Sequence, residues 1–160
     1  MATTYSHSHA DIPHYDVRAA AGVSDGLLAV GRVVIAIMFV MSGLEKFMDL
    51  AATASQIDSK GLPIPYALAV ATACLEFGGG VLIIIGWQTR IVALALALFT
   101  AVAAYLFHDF WHYPPGPEHT NNMIHFMKNA SIIGGFLMLA AVGAGRYSLD
   151  GPCIRAEYLR

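Results

Sequence analysis

The sequence predicts an all-α, polytopic membrane protein: an antiparallel bundle of four transmembrane helices, with a short interfacial amphipathic helix after the first span. Hydrophobic residues make up 57% of the chain and charged residues 12%, and a soluble domain carries roughly 25% charged residues. Four apolar stretches are each long enough to cross a hydrocarbon core of about 30 Å. Polar or helix-breaking segments separate these stretches, so each stretch predicts one span.

Each element also has a local signal. Ser24 or Asp25 is a suitable N-cap for the first helix. The next segment places apolar residues on one face and polar residues on the other, which predicts a helix lying at the membrane interface. Trp87 and the aromatic residues around Trp111 are typical of membrane interfaces. The predicted helices cover residues 25–47, 47–57, 64–87, 90–111 and 121–144.

The predicted organisation is one transmembrane domain between two tails. Residues 1–24 form a flexible tail that contains His7, His9 and His14, residues 25–146 form the domain, and residues 147–160 form a C-terminal tail. Four spans put both termini on one side. Lys46 and Lys60 lie on the other side, and the side of the termini carries the arginines, so the positive-inside rule predicts cytoplasmic termini in a bacterial inner membrane. The arginines are Arg18, Arg90, Arg146, Arg155 and Arg160.

Two ionisable residues are predicted to lie deep in the spans. A rise of about 1.5 Å per residue puts Glu76 near the midplane and Arg32 roughly 10 Å from the cytoplasmic end. These depths predict an intramembrane ion pair, direct or through water, between Arg32 and Glu76. The pair has two interpretations: a salt bridge that locks the bundle, or a site that handles protons or a ligand.

A second polar group is predicted near the periplasmic face. It collects residues from the end of the first span, the end of the third and the start of the fourth: Glu45, Lys46, His108, Asp109, His112, His125, Lys128 and Asn129. Residues three or four positions apart share a helix face, so His108 can join His112, and His125 can join Lys128 and Asn129. The expected aromatic walls are Phe107, Phe110, Trp111 and Phe126.

This group has three interpretations. It can form a hydrogen-bonded pocket for a polar ligand or a quinone headgroup, with histidines that move protons near neutral pH. It can hold a metal ion through His108, His112 and His125, but the spacing fixes no complete ligand set, so metal or haem is the less favoured interpretation. It can also be structural, with long side chains that reach the interface.

Several motifs occur in order along residues 27–150 and together point to one family. They are Gly31-Arg32, Ser42-Gly43-Leu44-Glu45-Lys46-Phe47, Gly61-Leu62-Pro63, Glu76-Phe77-Gly78-Gly79-Gly80, Gly86-Trp87-Gln88-Thr89-Arg90, Phe107-His108-Asp109-Phe110-Trp111, Lys128-Asn129 with Gly134-Gly135, and Gly145-Arg146-Tyr147-Ser148-Leu149-Asp150. This set resembles the DoxX-like family of small four-helix membrane proteins. The resemblance implies a four-helix bundle linked to membrane redox chemistry, since relatives are described as subunits of thiosulfate:quinone oxidoreductase or terminal oxidase systems.

Three functions therefore compete. The first is a subunit of a quinone-linked oxidoreductase system whose electrons come from a partner or a bound cofactor, because no redox centre and no covalent cofactor site is visible in the sequence. The second is a non-catalytic membrane anchor or assembly factor for a redox partner. The third is a conduit for protons or small solutes. All three predict a lipid environment together with a protein partner or a homo-oligomer, and the net charge of −2 gives no reason to expect nucleic acid binding.

Overall fold

The computed structural model describes residues 17–151, with side chains from residue 24 onward. The predictions made for His7, His9 and His14 therefore lie outside the described residues. The described part is helical, with no strand. Its elements are α1 (Val17–Met48), α2 (Leu50–Asp58), α3 (Pro65–Ile85), α4 (Thr89–Phe107), a 3₁₀ helix (Phe110–His112) and α5 (Pro117–Val142).

Four segments of the described chain are long and apolar enough to cross a membrane: Ser24–Met48, Pro65–Ile85, Thr89–His112 and Pro117–Val142. This confirms the predicted fold class. We call the side of the bundle where α1 begins and α5 ends the terminal side. The opposite side, which carries α2 and the 3₁₀ helix, is the loop side.

The helix boundaries differ most from the prediction at three places. Helix α1 begins at Val17, inside the segment predicted to be a tail. Helix α5 begins at Pro117, four residues before the predicted start, because a proline at the first helical position lacks only an N–H that the first turn leaves unused. Helix α4 ends at Phe107, and the chain then turns through the 3₁₀ helix.

The bundle is built from two tightly packed helix pairs, α1 with α3 and α4 with α5. Glycines set the first contact. A Cβ on Gly43 would overlap with the backbone of Phe77, and a Cβ on Gly80 would lie 3.0 Å from the backbone nitrogen of Val40. The two pairs meet in a buried core where the rings of Phe39 and Phe136 pack edge to face, 5.2 Å between centroids. Small residues thus allow the helix backbones to approach closely. Such packing is important because the hydrophobic effect does not drive helices together within lipid.

The terminal side is held by side chains that bind backbone groups. The carboxylate of Asp150 accepts hydrogen bonds from the backbone nitrogens of Gln88 at 2.9 Å and Thr89 at 2.8 Å, which caps the start of α4. The guanidinium of Arg90 donates to the carbonyl oxygens of Ala140, Ala141 and Val142 at 3.0–3.2 Å, which closes the end of α5. These bonds satisfy groups that helix ends leave unpaired.

Arg32 and the chain after α5 also bind backbone groups on the terminal side. Arg32 is 2% exposed and donates to the carbonyl oxygens of Ile83 at 3.3 Å and of Tyr147. Residues 147–151 were predicted to be a tail, yet the backbone nitrogens of Leu149 and Asp150 donate to the carbonyls that end α3. Burial raises the pKa of Asp150, but the hydrogen bonds from Thr89 and Gln88 and the charge of Arg32 outweigh it, so that pKa lies below its usual range.

Candidate functional site

The central feature of the loop-side half is an ion pair between α1 and α3. The Nζ atom of Lys46 lies 2.8 Å from Oε2 of Glu76, and it also donates to Oγ of Ser42 at 2.7 Å. Ser42 and Lys46 are four residues apart, so they share the face of α1 that packs on α3. Glu76 is only 4% exposed. A buried pair of this kind adds little stability, but losing one partner leaves a costly lone charge.

This arrangement corrects the predicted pairing of Arg32 with Glu76. Arg32 instead reaches the level of Ile83, which lies seven residues beyond Glu76 on α3, or about 10 Å along the helix axis. Helices α1 and α3 run antiparallel and are staggered, so that Lys46 near the end of α1 faces Glu76 in the middle of α3. The depth estimate failed because it measured each residue from its own helix end and did not include the stagger between the two helices.

The ion pair lies in the lining of a cavity of about 360 Å³ between α2, α3 and α4. Its walls are mostly apolar and include the rings of Phe99 and Phe107. Polar side chains reach it from several elements: Thr53 and Gln56 on α2, Thr72 and Glu76 on α3, Lys46 on α1, and His108 after α4. An apolar cavity with a few convergent polar groups is the usual form of a small-molecule site.

An ion pair links the loop after α2 to the end of α4 beside this cavity. The Nζ atom of Lys60 lies 3.2 Å and 3.3 Å from the two carboxylate oxygens of Asp109, and 6.0 Å from the ring centroid of Phe107. The second oxygen of Asp109 also lies 3.1 Å from Nδ1 of His112. These contacts therefore connect the loop after α2 to the end of α4 beside the cavity.

The remaining predicted site residues divide between the cavity and its surroundings. The rings of His108 and His125 stack with centroids 5.0 Å apart, so α5 supports the residue that lines the cavity. Asn129 is half-buried on α5. Of the predicted aromatic walls, Phe107 does line the cavity. Phe110, Trp111 and Phe126 instead pack on one another, with centroids 5.1–5.7 Å apart.

Glu45 and Lys128 do not enter the cavity. Both side chains are exposed, and neither has a hydrogen bond or ion pair with any residue of the described chain. His112 is also exposed and contacts Asp109 rather than His108 or His125. Within residues 17–151 no group of three or more His, Cys, Asp or Glu side chains is placed to hold a metal ion.

Sequence reasoning missed several members of the site. Lys60 was used only to judge orientation, and Thr53, Gln56 and Thr72 were not selected at all. One signal was available for Thr72, because it lies four residues before Glu76 and so shares the same face of α3. Lys60 and Gln56 gave no such signal, since their roles depend on how α2 folds back over α3.

Comparison with known proteins agrees with this architecture. The family model described as DoxX matches residues 27–109. The chain is 34% identical over 137 residues to the inner membrane protein YphA of Escherichia coli (strain K12), covering 86% of this chain and 95% of that protein. It is 39% identical over 124 residues to the inner membrane protein YqjF of the same strain, covering 76% of this chain and 87% of that protein.

A shorter match connects the chain to a protein with an enzymatic name. Over 67 residues it is 40% identical to the Bacillus subtilis (strain 168) protein named "Putative oxidoreductase CatD", covering 42% of this chain and 48% of that protein. No solved structure matches the chain. The family model and the two Escherichia coli relatives, taken with the four spanning helices, identify the chain as a member of the DoxX family of membrane proteins.

Proposed function

We propose that this protein binds a quinone headgroup in the loop-side cavity and serves as the membrane subunit of a quinone-linked oxidoreductase system. The observation that carries the proposal is the ion pair of half-buried Lys46 with buried Glu76, in the lining of an apolar cavity inside a membrane bundle. The name of the Bacillus subtilis relative is a weaker support, since the match covers less than half of this chain.

The residues present suit such a ligand. The cavity volume of about 360 Å³ falls in the range of about 300–1,000 Å³ that is usual for small-molecule sites. The ammonium of Lys46 can donate a hydrogen bond to a carbonyl oxygen, and the rings of Phe99 and Phe107 offer flat apolar walls. Bound quinone would supply two-electron chemistry, with the electrons coming from a redox partner.

The ion pair also gives the site a means to handle protons. Glu76 is a buried carboxylate that is neutralised by a single ammonium at 2.8 Å. A proton gained by Glu76, or lost from Lys46, changes the charge of the site by one unit, and the low dielectric makes that change matter to a nearby ligand. His108 lines the same cavity, and its imidazole is a second group there that can accept or donate a proton.

The experiment is quinone binding by the full-length protein in lipid nanodiscs, with decylubiquinone as the probe. We expect wild-type protein to bind it and Glu76→Gln to weaken binding about tenfold or more. The variant removes the carboxylate that holds the Lys46 ammonium in place, and a charge-assisted hydrogen bond from that ammonium is worth roughly 1.5–3 kcal/mol. The matched control is Glu118→Gln, an exposed glutamate in the first turn of α5. Absence of binding by wild-type protein, or equal binding by the two variants, would overturn the proposal.

The competing role as a membrane anchor predicts the opposite pattern. An anchor would keep the activity of its redox partner in Glu76→Gln and lose it when the exposed loop between the 3₁₀ helix and α5 is replaced. The exposed ring of Trp111 beside that loop favours this second candidate, since exposed aromatic residues are common at protein contacts.

We also propose that the terminal side faces the cytoplasm of a bacterial cell. Arg90 and Arg146 lie at that side, whereas Lys60 lies on the loop side, and the positive-inside rule relates such a difference to orientation. A reporter that fluoresces only in the cytoplasm, fused after Arg160, should be bright. The same reporter placed in the loop at Gly116 should be dark. A dark C-terminal fusion that is produced at normal level would reverse the assignment.

A further inference from the structure

Two opposite charges in the membrane-spanning part of the protein have no partner in the described chain. Glu45 lies near the loop-side end of α1, and Lys128 lies eleven residues into α5. Both side chains are exposed, and neither makes an ion pair or hydrogen bond with residues 17–151. Ionisable side chains within spans usually face a partner or a wet cavity, so this pair of residues needs an explanation.

The two residues lie at nearly the same depth. Helices α1 and α5 run antiparallel and touch where Phe39 packs on Phe136. From that contact Glu45 is six residues toward the loop side, or about 9 Å, and Lys128 is eight residues toward the loop side, or about 12 Å. A level difference of about 3 Å is small beside the length of a lysine side chain.

They also border the same face of the bundle. A Cβ on Gly135 would lie 2.8 Å from the side chain of Ile35 on α1, so this side of α5 is turned toward α1. Lys128 precedes Gly135 by two helical turns and therefore shares that side. Glu45 continues an exposed stripe of α1 that includes Met38 and Met41. Helices α1 and α5 contact each other only sparsely, and Glu45 and Lys128 remain apart.

We propose that this face of α1 and α5 binds a second copy of the chain, so that Glu45 of each copy pairs with Lys128 of the other. In a two-fold symmetric dimer any contact between two different residues occurs twice, so a single geometry satisfies all four charges. The two charges are opposite in sign and similar in depth, which makes the face complementary to itself. This inference does not depend on quinone binding.

Cross-linking tests the pairing directly. Two differently tagged full-length copies, one with Glu45→Cys and one with Lys128→Cys, are co-produced in a Cys74→Ser, Cys153→Ser background. A short bismaleimide is used, because a Glu–Lys contact holds its Cα atoms too far apart for a disulfide. We expect a cross-linked product that carries both tags. The control replaces Lys128→Cys with Met138→Cys, which is exposed on α5 but ten residues further along, and should give little product.

Charge reversal supplies the second measurement. The fraction of dimer is counted in lipid vesicles by single-molecule photobleaching. Glu45→Lys and Lys128→Glu should each lower the dimerisation constant by more than about tenfold, because each places like charges together. The double variant should restore it. Monomers in the wild type, the absence of a cross-linked product that carries both tags, or a double variant no better than the single ones would overturn the proposal.

Discussion

The two ends of the bundle use their charged residues in different ways. On the terminal side, Arg32, Arg90 and Asp150 bind backbone carbonyl and amide groups at the ends of helices. On the loop side, Lys46 binds Glu76 and Lys60 binds Asp109, so these four charges meet other side chains. Both groups adjoin a cavity. The terminal-side cavity, of about 730 Å³, is lined by Arg90 and Asp150, and the loop-side cavity has both members of the deeper ion pair in its lining.

This difference separates a structural role from a chemical one. A side chain that binds helix-end carbonyls or amides replaces hydrogen bonds that the backbone lacks, and its loss leaves those groups unpaired. A pair of side chains can be replaced as a unit, because removing both partners leaves nothing unsatisfied. The charges of the loop side are therefore the ones that the fold can do without, and the ones with freedom to exchange a proton or contact a ligand.

The largest effect should come from breaking one interaction on each side. We expect Arg32→Met to lower the free energy of unfolding by about 3 kcal/mol, because buried carbonyls lose a charged donor. Lys46→Met should cost a similar amount, about 3–5 kcal/mol, since it leaves Glu76 buried and unpaired.

The double variant Lys46→Met/Glu76→Leu sharpens the comparison. It should recover most of the loss, because no lone charge remains. Unfolding in mixed detergent micelles gives all three values. A double variant as unstable as Lys46→Met would show that the loop-side pair is structural after all.

A smaller effect is expected at the helix contact that positions Lys46. Gly43→Ala should destabilise the bundle by about 1–3 kcal/mol, because the new methyl group overlaps with the backbone of Phe77. Gly78→Ala is the matched control on the facing helix, where a Cβ meets nothing within 4 Å. It should stabilise α3 by up to about 1 kcal/mol through helix propensity. Equal effects would argue against a glycine-dependent contact.

The smallest effect concerns acid stability at the terminal side. The pKa of Asp150 lies below its ordinary value of 3.8, so its contribution is complete above that value and is lost as the pH falls through the lowered pKa. Asp150→Asn should remove about 1 kcal/mol at neutral pH, the usual value of a helix cap. It should also flatten the fall in stability below pH 3.8. Unfolding curves measured from about pH 7 to about pH 2.5 test both statements, and an unchanged acid slope would contradict the second.

The sequence was sufficient for the fold because hydrocarbon imposes a simple condition. Backbone groups inside a bilayer must bond within their own segment, so four long apolar stretches mean four helices. Of the predicted site residues, Lys46, Glu76 and His108 line the cavity, whereas Thr53, Gln56 and Thr72 were missed. The motif from Gly145 to Asp150 was noticed as a pattern, but its role as a closure of α3 and α4 was not predicted.

The sequence did not reveal which charged side chains pair with one another. Arg32 and Glu76 were predicted to pair. The contact of Gly43 with Phe77 sets the stagger of α1 against α3, and this stagger places Glu76 beside Lys46 instead. The orientation of α1 and α5 in the bundle leaves the side chains of Glu45 and Lys128 exposed, and the fold of α2 over α3 brings Lys60 to Asp109. Hydropathy is a property of each segment taken alone, whereas an ion pair depends on the relative positions of two segments. The sequence therefore determined which side chains need an ion-pair or hydrogen-bond partner, and only helix packing decided which partner each one has.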